Sequence, residues 1–136
     1  MVVFSRLDHG KELHRQIDEI TDREVHYIAG ETDKDSREMT RQFAEKNDVT
    51  IVASLGVFST GVNIKKIDNI VFASPSKSRI RNLQSIGRGL RKTEGKDNMR
   101  LFDIADDLQC ENYTLNHLKE RINTVSYTHL TLPTKA

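Results

Sequence analysis

Apolar residues recur along this chain in two alternating rhythms. Short runs rich in β-branched residues occur at 2–4 (Val-Val-Phe), 24–29, 50–54, 69–73 and 99–104, and each reads as a buried strand. Between them the spacing becomes helical: Leu13, Ile17 and Ile20 within 9–20, Met39, Phe43 and Ala44 in a segment reaching about residue 45, and a helix-compatible stretch over 78–92. Leu115, Leu118 and Ile122 mark a last helix over about 112–123. Thr32, Asp33 and Asp35 offer N-caps for the second helix, and Pro75 between Ser74 and Ser76 stops the fourth strand. Residues 55–64, with two glycines and several hydroxyls, read as a loop. Strands alternating with helices through short connections predict an α/β fold, a parallel sheet with helices on both faces and strand 50–54 near its centre. Ligand sites in such sheets lie at the carboxyl ends of the strands, which predicts one functional rim.

Composition narrows the class. At 136 residues, 36% hydrophobic and 30% charged, the chain can bury the core of one domain. The single cysteine, Cys110, excludes an internal disulfide, and the absence of a cysteine pair argues against structural zinc. No apolar run approaches membrane-spanning length, so no membrane partner is expected and a cytoplasmic setting follows by default. Net charge is only +1, yet residues 65–96 hold nine basic residues against two acidic ones. That asymmetry describes either a solvated basic helix or a face that meets polyanions.

The sharpest chemistry lies in Gln84-Ser85-Ile86-Gly87-Arg88-Gly89-Leu90-Arg91. On a continuing helix, Arg88 and Arg91 share a face, with Gln84 close to it. A guanidinium is permanently charged and presents a planar fork suited to phosphate. The bland alternative is a helix face held in surface ion pairs.

The octet resembles motif VI of superfamily 2 helicases and translocases. Ser5-Arg6-Leu7 resembles motif IV of the same family, and Gly30-Glu31-Thr32 with Arg37 and Phe43 resembles the pattern after their second strand, although helix capping accounts for most of it equally well. Ala53-Ser54 with Gly61-Val62-Asn63 resembles motif V, with a loop one residue longer than usual and Asn63 where many relatives carry Asp. In this order the motifs resemble the second RecA-like domain of a superfamily 2 helicase over residues 1–124, and the wording of the middle is especially similar to recombination and repair helicases of T-even-type phages. Residues 125–136, with three threonines and a proline, resemble a translated adaptor or a disordered end and are left out of the fold argument.

The resemblance implies a RecA-like sheet and half of an ATP-driven motor acting on branched or single-stranded DNA, or on RNA-DNA hybrids. It implies that Arg88 and Arg91 stabilise charge on ATP, that Gln84, Gly87, Gly61 and Asn63 bind or couple to it, and that Ser5, Arg6, Ser54, Ser59 and Thr60 contact one nucleic-acid strand. No phosphate loop and no Asp-Glu-x-(Asp/His) box occurs in the sequence, so ATP and Mg²⁺ are expected on a first RecA-like domain of a longer protein, with neither bound tightly here. Two other classes stay open: a stand-alone nucleic-acid-binding module, and a metal-dependent nuclease built on Asp103, Asp106 and Asp107.

Overall fold

The computed structural model describes residues 1–60, 63–74, 79–91, 93–96, 98–105 and 113–131. Within them the order is β1 (Val2–Phe4), α1 (Leu7–Ile20), β2 (Val25–Ile28), α2 (Lys34–Lys46), β3 (Thr50–Ser54), α3 (Leu55–Thr60), β4 (Asn69–Phe72), α4 (Arg79–Gly89), β5 (Arg100–Asp103) and α5 (Tyr113–Thr131). All five strands pair in parallel, in the order β2-β3-β1-β4-β5. Val2 lies opposite Val52 on one side and Val71 on the other.

Alternation along the strands builds two cores. Val3, Ile51, Ala53, Ile70 and Phe72 point to one face, where Ala44 of α2, the apolar side of α3 and Ile86 of α4 cover them. Phe4 and Val52 point to the other, under Leu13 and Ile17 of α1. Handedness explains the division. The step from β1 to β2 crosses the sheet in one direction and the three later steps cross it in the other, so right-handed connections put α1 alone on its face. Gly10 lets α1 lie directly on Phe4, because a Cβ there would run into the phenyl ring.

Strand β3 lies inside the sheet as expected, next to the middle strand β1; both have two neighbours, so both read as apolar runs. Three expectations are corrected. The segment predicted as a loop opens with helix α3, because burying Leu55, Val57 and Phe58 outweighs the helix-weakening Gly56. The last helix continues to Thr131 instead of ending near residue 123. Its threonines and Val125 cost under about 1 kcal/mol each in a helix, and Pro133 comes only after its end. The octet does not stay on one rim with the other motifs. α4 runs back along the sheet until Gly89 reaches Ile70 near the start of β4, where a Cβ would lie 2.6 Å from the Ile70 Cδ1.

Candidate nucleotide and nucleic-acid interface

The carboxyl rim gathers Ser5 and Arg6 after β1, the turn 30–32 after β2, Ser54 at the end of β3 and Ser74 after β4. Ser5 and Arg6 are exposed, while Ser54 is half-buried. Arg6 occupies the N-cap of α1 without a side-chain cap, so its guanidinium is not used to close the helix. Buried Ser74 braces this loop: the Ser5 N–H donates to its Oγ at 3.1 Å, and its Oγ lies 3.0 Å from Nδ1 of His9.

The turn after β2 is held from within. The Ala29 N–H donates to Oγ1 of Thr32, the Thr32 N–H donates back to the Ala29 carbonyl, and Arg37 donates to the Gly30 carbonyl at 2.9 Å. Asp33, not Thr32 or Asp35, caps α2 by accepting from the Ser36 N–H at 2.7 Å. That bond, together with the Ser36 hydroxyl, pushes the Asp33 carboxyl below its usual range. Phe43, the last residue of this pattern, packs its ring 5.5 Å from that of His26.

The second group of residues sits over the sheet face between α3 and α4. Arg88 donates from Nε and Nη2 to the Ser59 carbonyl at 3.1 and 3.0 Å, which ties the octet to the end of α3. Burial first, and the neighbouring charge of Arg91 second, push the Arg88 pKa down. Arg91 is exposed and lies beyond the last residue of α4, so the two arginines are neighbours in charge without sharing a helical face. The helix stops because Gly89 follows Arg88 and Lys96 donates its ammonium to the Gly89 carbonyl, an orphan acceptor at the helix end. Burial lowers the Lys96 pKa, and the nearby Asp68 carboxylate works in the opposite direction.

The remaining predicted residues divide. Gln84, Gly87 and Asn63 are exposed. Thr60 ends α3, whereas Gly61 lies outside the described residues. Ser59 is 5% exposed and its hydroxyl donates to the Gly56 carbonyl at 3.2 Å, so its side chain is turned away from any strand crossing the surface. Asp106 and Asp107 also lie outside the described residues. Asp103 is already engaged: both its oxygens accept from buried Arg121, at 2.6 and 2.7 Å, which fastens α5 to β5. Among the described residues no group of three His, Cys, Asp or Glu could hold a metal ion, and no helix is long and apolar enough to cross a membrane. Two cavities of about 240 and 310 Å³ open at the opposite, amino rim and include none of the predicted site residues.

Sequence reading missed His9, Ser74, Lys96 and Arg121. Ser74 and His9 are 65 positions apart, so no local pattern could pair them. Lys96 follows Gly95, whose φ of 77° is the left-handed turn that brings the chain back to α4, and that glycine was the one available signal.

These features converge on a motor-domain architecture, and comparison with known proteins agrees. The helicase conserved C-terminal domain matches residues 1–93, and the chain belongs to that family, with the RecA-like sheet found in it. It is 36% identical over 123 residues to the ATP-dependent DNA helicase UvsW of Enterobacteria phage T4, covering 90% of this chain and 24% of that protein. The crystal structure of T4 UvsW superposes with a TM-score of 0.66 at 31% identity, over 94% of this chain and 28% of the other. The C-terminal domain of the DEAD-box protein Dbp5 shares the fold, with a TM-score of 0.70 at 11% identity over 93% of this chain and 69% of that one. The chain thus spans about a quarter of the length of UvsW.

Proposed function

We propose that this chain is the second motor domain of an ATP-dependent DNA or RNA-DNA helicase acting in recombination and repair, and that it works against a first RecA-like domain carrying ATP and Mg²⁺. The observation that carries this reading is the state of Arg88. Its guanidinium is pinned to the Ser59 carbonyl, and both burial and Arg91 disfavour its charge. A phosphate beside the two guanidiniums offsets their mutual repulsion and accepts from their planar forks. Arg88 and Arg91 then stabilise charge developing on the transferred phosphoryl group, a contribution of about 10³ to 10⁵ in turnover where such arginines have been measured. The pinning matters because a donor fixed in advance needs no reorganisation when charge develops.

The carboxyl rim takes the other ligand. Ser5 and Arg6, with Ser54 behind them, contact the phosphates of one strand without reading bases. Gln84, on the exposed side of α4, couples the two sites, and Gly87 beside it leaves room for the partner domain. Asn63 serves as an acceptor for a ribose hydroxyl. The experiment is Arg91→Ala in the complete protein. Hydrolysis is expected to fall at least about a thousandfold with nucleic-acid affinity retained, and normal turnover overturns the assignment. Undiminished affinity of the isolated chain for single strands, with ordinary salt dependence and no effect of the arginine on any turnover, favours the stand-alone binding module instead.

A further inference from the structure

We infer that His9 is a further ligand for the nucleic-acid backbone and that Ser74 is the positioning residue that fixes its donor. The inference rests on the proposed path of a strand along the carboxyl rim. Both residues enter through one contact, between the Ser74 hydroxyl and the His9 ring.

Ser74 is 8% exposed and stands where the chain leaves β4, next to the loop that follows β1. Its oxygen accepts the Ser5 N–H at 3.1 Å, which uses one lone pair. Its other contact is with Nδ1 of His9, at 3.0 Å, and in the inferred arrangement the hydroxyl gives its single proton to that nitrogen. With Nδ1 accepting, the neutral ring carries its proton on Nε2. His9 is exposed in the first turn of α1, at the same rim as Ser5 and Arg6. One buried hydroxyl therefore sets both the backbone of Ser5 and the tautomer of His9. Three donors result on one short stretch of rim: the Ser5 hydroxyl, the Arg6 guanidinium and the His9 Nε2–H, matched to the oxygens of successive phosphodiesters. A nucleophilic role for Ser74 does not suit this geometry, because the oxygen is buried and already accepts an amide proton.

The test uses the 136-residue chain and an oligothymidylate of about 12 nucleotides, with binding read by fluorescence anisotropy at low salt and ring nitrogen shifts read by NMR. The wild-type His9 ring is expected in the Nε2–H form. Ser74→Ala is expected to let the ring populate both tautomers, and Ser74→Thr, which keeps the hydroxyl, restores the single form. His9→Ala and Ser74→Ala are each expected to weaken binding about tenfold, and the double variant no further than the larger single loss. A melting temperature taken alongside separates this from general damage: a purely structural Ser74 lowers it and leaves the tautomer of the folded fraction unchanged, which overturns the positioning role. Additive losses in the double variant overturn it as well. Unaltered binding in His9→Ala, while Arg6→Ala weakens binding and lowers the salt slope by about one, removes His9 from the interface and leaves the rim assignment standing. No effect from Arg6, Ser5 or His9 means that the strand does not run on this rim, and then both readings fall.

Discussion

Arg15 and Arg41, on α1 and α2, are held differently from Arg88 on α4. On α1, Arg15 is bracketed by Glu12 at i−3 and Glu19 at i+4, and on α2 Arg41 is bracketed identically by Glu38 and Glu45. The repetition extends to Gln16 and Gln42, which donate to the same glutamates. Each of these guanidiniums is neutralised within its own helix, Arg15 at the exposed surface and Arg41 half-buried beside exposed Glu38. On α4, by contrast, Arg88 is half-buried, rests on a backbone carbonyl and feels the repulsion of Arg91. The same side chain thus closes an ion pair within its own helix in one place and ties two helices together through a backbone carbonyl in the other.

The largest test of that contrast is Arg88→Ala in the complete helicase. ATP turnover is expected to fall about 10³-fold or more with little change in melting temperature, whereas Arg15→Ala and Arg41→Ala leave turnover within about twofold. Equal losses from all three abolish the distinction. Next comes Arg121, which the fold both buries and pairs with a carboxylate. Asp103→Ala leaves Arg121 without its fork and is expected to cost about 3 kcal/mol in urea unfolding, with much of that recovered when Arg121→Met is added. A smaller effect comes from Gly10→Ala, which pushes a methyl into the Phe4 ring and is expected to cost about 1–3 kcal/mol, while Gly87→Ala, with open space at its Cβ, leaves the packing undisturbed.

The smallest effect is acid sensitivity. Hydrogen bonds from Arg15 and then Gln16 hold the Glu12 carboxyl down at about 2, and Arg41 and then Gln42 do the same for Glu38. A depressed carboxyl stabilises the folded state while it is ionised. The contribution is therefore complete above about pH 4.5 and is lost as the pH falls toward 2. Because both carboxylates are exposed the change is small. Far-ultraviolet circular dichroism is expected to show α1 and α2 fraying in that window, and salt is expected to blunt the effect.

Much of the fold was legible because its strands are dense in β-branched residues: Thr50–Ser54 emerges with the predicted bounds, and β1, β2 and β4 agree to within a residue or so. What escaped has physical causes. α3 is too short for a periodic signal and contains Gly56, so only the burial of Phe58 reveals it. The end of α4 depends on Lys96, seven residues beyond the carbonyl it caps. Arg88 was legible as a chemical group, yet its anchor on Ser59 was not, since that contact spans 29 positions. Ser59 itself was read as a strand contact from its hydroxyl, and the structure uses its carbonyl.

The position of β1 also governs the order in which the molecule can be assembled. Val2 finds its partners at Val52 and Val71, so β1 has neither neighbour until β3 and β4 have followed it in the chain. Such distant pairings are slow because a long loop must close before either edge is rewarded. α1 and β2 can form a local unit meanwhile, but the middle of the sheet stays open until β4 arrives. β1 is then enclosed from both sides, and its amide protons are expected to become protected no sooner than those of β4.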